Sequence, residues 1–156
     1  MSDSIRIQYE IWMSEAIRLA KIAYENDEIP VGAIVVKDNK IIGRGYNQRE
    51  KLKDPTAHAE VLAITAAANT ISDWRLSDCT LIVTKEPCAM CAGAIINSRI
   101  ESVIFGCYDA ERGYCGSIAN LCGDPRLKNN ITVHGGIKEN ICLSLIQDFF
   151  KTKRKS

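Results

Sequence analysis

Between Tyr9 and Glu25, apolar residues recur every three or four positions: Trp12, Ala16, Leu19, Ala20 and Ala23. That spacing lines one side of a helix and predicts an amphipathic α-helix there. After Pro30 the period changes. The runs V-G-A-I-V-V-K and K-I-I-G-R-G-Y flank Asp38-Asn39, which predicts two strands joined by a tight turn. Thr56–Asn69 is rich in alanine and leucine-type residues and reads as a second helix, with Asp54 or Thr56 as its cap. T-L-I-V-T (80–84) reads as a buried strand, Cys88–Ser98 as a third helix, and S-V-I-F-G (102–106) as another strand. Residues Asp109–Asn130 are loop-rich with one weak helical segment, and Ile131–Gly135 forms a short fifth strand. Glu139–Lys153 reads as a closing helix with Ile141, Leu145, Ile146 and Phe149 on one side.

Helices and strands in this order predict a three-layer α/β/α sandwich built on a five-stranded mixed sheet. With no repeat, low-complexity tract or linker-like run, residues 1–156 are expected to form a single domain. In such sheets the functional site sits where strands end and helices begin. T-K-E-P-C-A-M-C, starting at Thr84, lies at such a junction.

Composition narrows the function. Twenty basic residues against 19 acidic give a net charge of +1, so a polyanionic partner would have to be met by a local patch. The start, M-S-D-S-I-R-I-Q-Y-E, has no apolar run behind a basic segment, and no stretch is long enough to span a bilayer. The expectation is a cytoplasmic protein with no membrane partner. Seven cysteines, an odd count, argue against a disulfide framework.

Pro87 suits the first turn of a helix, where its missing N–H costs nothing. Cys88 and Cys91 then fall three apart on that turn, where the partial positive charge favours thiolates. Alone, the pair reads equally well as two small core residues. His58 changes the balance: it stands 30 residues before Cys88, also at a helix start, within T-A-H-A-E-V. Three ligands and an open position are the pattern of a catalytic zinc site. Glu60, two residues on, reaches the same place only if both side chains look out past the helix end. A carboxylate beside a metal-bound water can take its proton and hand it to a leaving group.

H-A-E followed by P-C-x-x-C resembles the signature of the zinc-dependent deaminases. Longer strings match bacterial tRNA-specific adenosine deaminases: E-I-P-V-G-A-I-V-V, G-Y-N-Q, D-P-T-A-H-A-E, V-T-K-E-P-C-A-M-C-A-G-A-I-I-N-S-R-I, V-I-F-G, D-A-E-R-G-Y-C-G-S and D-F-F-K-T-K-R-K. The resemblance implies a cytidine-deaminase-like fold and one zinc per chain, held by His58, Cys88 and Cys91, with Glu60 as proton shuttle. It implies conversion of adenosine to inosine at the first anticodon position of tRNA. Asn47 and Ile29 match positions lining the base pocket. Asp109, with Tyr108 beside it, matches a contact to the RNA near the target nucleotide. Phe149 and Phe150, with Lys151, Lys153 and Arg154, match a region facing the anticodon stem-loop, and the family's members are typically homodimers. Lys85 stands where leucine is common, and Cys107-Tyr108 replaces a frequent Ala-Arg, leaving Tyr108 to stack on a base.

Three other readings share parts of the pattern. A deaminase of free cytosine, guanine or a nucleoside has the same signature and suits the near-neutral charge. A thioredoxin-like oxidoreductase explains P-C-A-M-C but leaves H-A-E without a role. A zinc-stabilised binding module explains three ligands but not Glu60.

Overall fold

The computed structural model describes residues 1–155, with side chains through residue 153, so the expected RNA contact Arg154 lies outside the described side chains. Helix α1 runs Asp3–Glu25, six residues earlier than the apolar spacing predicts. Ser2 caps it by accepting a hydrogen bond from Ile5 N–H. Residues 1–7 are exposed, so these first turns carry no core-facing signal.

Strands β1 (Gly32–Lys37) and β2 (Lys40–Tyr46) form the expected hairpin. Asp38 and Asn39 both take positive φ, 50° and 61°, which matches the right-handed twist of a two-residue hairpin. A short helix α2 (Arg49–Leu52) follows, where no helix was expected. Buried Glu28 holds it by accepting hydrogen bonds from Glu50 N–H and Lys51 N–H.

Next come α3 (Ala59–Ile71), β3 (Thr80–Lys85), α4 (Ala89–Asn97) and β4 (Ser102–Cys107). Two 3-10 turns (Leu121–Gly123 and Pro125–Leu127) replace the single weak helical segment expected between 109 and 130. Strand β5 (Thr132–His134) and helix α5 (Glu139–Lys155) close the chain.

The sheet order is β2-β1-β3-β4-β5. β1 is antiparallel to β2 and β3, whereas β3, β4 and β5 run parallel, so the sheet is mixed as predicted. Alternation along the strands divides the core between two faces. Ala33, Val35, Leu81, Val83, Val103 and Phe105 pack towards α3 and α4. Ile34, Val36, Ile82 and Ile104 pack towards α1 and α5. On α5 the core-facing stripe is buried Cys142 and Phe149 with half-buried Leu145 and Ile146 between them. Ile141, expected on that side, is 47% exposed, one helix position away from the stripe.

Glycines let α3 lie directly on β2. A Cβ at Gly45 would meet the Ala59 carbonyl oxygen and stand 2.7 Å from Ala63 N, and one at Gly43 would stand 2.6 Å from Ala67 N. These are backbone atoms, which yield only if the helix moves. Gly45→Ala is therefore expected to destabilise the fold by about 1–3 kcal/mol, the usual cost of overpacking. A lowered denaturant midpoint at unchanged slope would show it. A variant as stable as the parent would mean that α3 does not approach this closely.

Candidate active site

The carboxyl ends of β2, β3 and β4 lie at one edge of the sheet, where α3 and α4 begin. His58 is the N-cap of α3, in an extended conformation (φ −78°, ψ 152°), and its side chain makes no capping hydrogen bond. Neither Asp54 nor Thr56 caps the helix. Asp54 instead accepts hydrogen bonds from Thr56 N–H (2.8 Å) and its hydroxyl (2.7 Å), shaping the approach. The first N–H of α3, from Ala59, goes to the Asn47 side-chain oxygen at 2.8 Å. Asn47 thus does the capping that His58 does not, and the imidazole is left for other work.

Cys88 takes the same position on α4: it is the N-cap, and Cys91 falls in the first turn. Pro87 therefore precedes the helix rather than opening it, and its carbonyl accepts Tyr114 N–H at 2.9 Å. His58 Nδ1 lies 3.7 Å from Cys88 Sγ and 3.5 Å from Cys91 Sγ, and the three ligand atoms all fall within 4.8 Å of one another. A tetrahedral ion bonded at about 2.3 Å to sulfur and about 2.0 Å to nitrogen spaces those atoms roughly 3.5 Å apart. The residues fit a metal ion as they stand.

Protons are shared unevenly in this cluster. The Cys88 thiol is pulled down to about 3, first by the hydrogen bond from Cys91 and then, against burial, by His58. Cys91 is pushed up, because Cys88 holds its proton in place. A metal would displace that proton and take both sulfurs as thiolates. Glu60 is 4% exposed, and burial pushes its carboxyl upward.

His58, Glu60 and Cys88 share a pocket of about 160 Å³ with Ile29, Val31, Asn47, Arg49, Lys85, Glu86, Asp109 and Arg112. That is about five water volumes, a space for one flat ring. His58 and Glu60 meet there, although two apart, because both sit at the helix start. A wider hollow of about 540 Å³ between Ser77 and Ile131 holds no such grouping of imidazole and thiols.

Ile29, Asn47 and Asp109 therefore stand in the pocket together with His58, Glu60 and Cys88. Tyr108 does not line it: half exposed, it rests edge-on against Phe105 at 4.9 Å between ring centres. Phe149 is buried against Tyr24, while Phe150 is 42% exposed. Lys151 is exposed, and Lys153 reaches Asp27 at 3.6 Å and lies over the Phe149 ring.

Two residues were not expected here. Glu86, buried just before the P-C-x-x-C run, accepts hydrogen bonds from Asp109 N–H, Cys115 N–H, Ser117 N–H and the Ser117 hydroxyl. It ties the loop after β4 to the strand end that leads into Cys88. Lys85 pairs with Asp109 at 3.0 Å. Burial opposes the Asp109 charge. Lys85 and the N–H groups of Glu111 and Arg112 outweigh it and hold that carboxyl below its ordinary range.

A mixed sheet that sets two helix starts around such a cluster is the architecture of cytidine-deaminase-like enzymes, and the molecule falls in the class of metal-dependent deaminases. More particularly, the chain belongs to the MafB19-like deaminase family, whose model matches residues 7–154. The tRNA-specific adenosine deaminase of Bacillus subtilis (strain 168) is 43% identical over 148 residues, covering 95% of this chain and 92% of that one. A solved structure from studies of A-to-I editing by tRNA:A34 deaminases at the wobble position superposes with a TM-score of 0.83 at 35% identity. That match covers 86% of this chain and 97% of the other. The guanine deaminase of Bacillus subtilis is 40% identical over 64% of each chain, with a TM-score of 0.61.

Proposed function

We propose that the protein converts adenosine to inosine, releasing ammonia, at the first anticodon position of a tRNA. The observation that carries this reading is the meeting of His58, Cys88, Cys91 and Glu60 at a pocket with room for one base. The likeness to tRNA-specific adenosine deaminases over nearly the whole chain supports the choice of base and of RNA.

His58, Cys88 and Cys91 would hold one zinc ion, which suits an imidazole and two thiolates. Bound there, zinc supplies a Lewis acid that makes a water nucleophilic near neutral pH. The chain's own residues do the rest. Glu60 takes a proton from the attacking water and gives it to N1 of the purine as the C6–O bond forms; it then takes the remaining hydroxyl proton and delivers it to the C6 amine, so that the C6–N bond breaks, ammonia leaves and C6 becomes a carbonyl. Burial suits it to this task, since a carboxylate raised towards neutrality both accepts and returns protons. Asn47, with its oxygen held on Ala59 N–H, keeps its amide N–H groups for the base. Ile29 lies against the ring. Loops present unstacked nucleotides, so an anticodon loop delivers the adenosine at little unpairing cost.

In this reading residues 1–156 act as one deaminase domain in the cytoplasm, beside their tRNA substrate. Among the described residues no helix is long and apolar enough to cross a membrane. We also expect a homodimer. Exposed Met90, Trp74, Ile118 and Leu127 offer apolar surface, and a stable pair should bury at least about 1,200 Å² in total. Light scattering at micromolar concentration checks this, and an active monomer would refute it.

The test of function is direct. A short anticodon stem-loop with adenosine at its first anticodon position is incubated with the enzyme, then digested to nucleosides. Inosine should replace that adenosine with an equal release of ammonia. A second reading, deamination of a free base, is favoured by the guanine deaminase likeness and the net charge of +1. It predicts ammonia from guanine and an unchanged stem-loop.

A further inference from the structure

We propose that Lys85 is a specificity-determining residue, whose ammonium group binds a backbone phosphate beside the target nucleotide while its pairing with Asp109 fixes where that charge stands. The inference rests on the reading of an RNA substrate given above. Lys85 ends β3, three residues before Cys88, and lines the pocket that holds His58 and Glu60. Its side chain is only 29% exposed, and its partner's only 15%. A lysine with solvent as its sole business keeps its head in water, whereas this one turns its head into the site.

The geometry of Asp109 says why Lys85 points there. One carboxylate oxygen accepts Glu111 N–H and Arg112 N–H, both at 3.1 Å, and the other receives Lys85 Nζ at 3.0 Å. Its main-chain N–H is fixed by Glu86. Asp109 is therefore held from four directions and cannot swing to follow a ligand. An anchored carboxylate holds the ammonium in one place, and an ammonium has three N–H donors. Asp109 takes one of them. The ammonium stands at a pocket whose other lysine or arginine side chains are Arg49 and Arg112. Pairing alone brings Lys85 and Asp109 to zero charge, which has no use for a neutral base. A phosphate next to the flipped nucleotide meets the unused donors, and Arg49 and Arg112 strengthen the attraction.

The experiment compares Lys85→Met, Lys85→Arg, Asp109→Asn and the Met/Asn double variant, all as metal-loaded enzyme. Each is given the adenosine stem-loop for turnover and the inosine product stem-loop for binding over a salt series. Lys85→Met should raise KM and the product Kd about tenfold, the scale of one charged hydrogen bond. The slope of log affinity against log salt should fall by about 0.7–1, one phosphate contact's worth. kcat should fall by less than KM rises, and zinc content should stay near one per chain. Lys85→Arg should keep the affinity and the slope.

If adding Asp109→Asn to Lys85→Met restores the parent KM, Lys85 only neutralises its partner, and the phosphate contact is overturned. An unchanged KM and salt slope in Lys85→Met overturns it as well. So does an equal loss in Lys85→Arg, or a fall in kcat that tracks lost zinc. Failure of the parent enzyme itself to make inosine in the stem-loop overturns the RNA reading and this inference with it, whereas an active parent with any of the outcomes above overturns this inference alone.

Discussion

Glu60→Gln should lower turnover by at least about 10²-fold, the lower end of what a positioned proton carrier contributes, while leaving metal content and fold unchanged. Glutamine keeps the shape of the side chain but cannot carry a proton. Glu60 is buried at the start of α3, and in the proposed mechanism the same carboxylate serves both the incoming water and the outgoing amine. Water alone would have to replace it at two steps. The loss should appear in kcat and kcat/KM alike, because the interaction removed operates in the transition state. Elemental analysis and circular dichroism on the same preparation exclude a lost metal or an unfolded chain. A glutamine variant with near-parental activity would remove Glu60 from the mechanism.

Cys88→Ser should have an effect of another kind. Serine is among the preferred residues at a helix N-cap, so α4 should start at least as well as with cysteine. Its hydroxyl, unlike the Cys88 thiol, is not deprotonated near neutral pH and makes a poor ligand for zinc. The variant should therefore fold and yet lose its metal, with zinc falling from about one per chain towards none. Activity should drop below that of Glu60→Gln, since the Lewis acid that zinc would supply at His58, Cys88 and Cys91 would be lost with it. Because metal binding stabilises only the folded state, the parent should melt higher than this variant with zinc present, and the gap should close in a chelator. Stoichiometric zinc in Cys88→Ser would show that the ion sits elsewhere.

The cluster of His58, Cys88 and Cys91 was legible in the sequence because its spacings are local. His58 and Glu60 are two apart, Cys88 and Cys91 three apart, and a helix start is the one place where such spacings converge. The mixed sheet was legible from the alternating runs and the helical spacings between them. Other features depend on contacts distant in sequence. The opening turns of α1 carry no core-facing side chains, so no apolar pattern marks them. Helix α2 is four residues long and rests on Glu28, more than twenty positions back. Cys142, not Ile141, faces the core, a difference of one position that spacing alone does not resolve when both are apolar.

Within the site, Ile29, Asn47 and Asp109 were reached only through resemblance, since nothing near them in sequence marks a pocket. Glu86 carried a faint signal, an acidic residue directly ahead of the proline and paired cysteines. Its four donors come from residues 109–117, and no local pattern reveals them. Lys85 was visible as a departure from the family's leucine. Its partner, Asp109, lies 24 positions later.

We propose that the His58–Cys88–Cys91 site acts on an adenosine presented by an RNA loop. The most direct measurement is kcat/KM for the adenosine stem-loop against free adenosine, cytidine, cytosine and guanine, with the same zinc-loaded enzyme and ammonia as the common product. The stem-loop should exceed every free compound by at least about 10²-fold, since gripping the neighbouring nucleotides supplies binding that a lone base lacks. Efficient release of ammonia from a free base, with the stem-loop left intact, would contradict it.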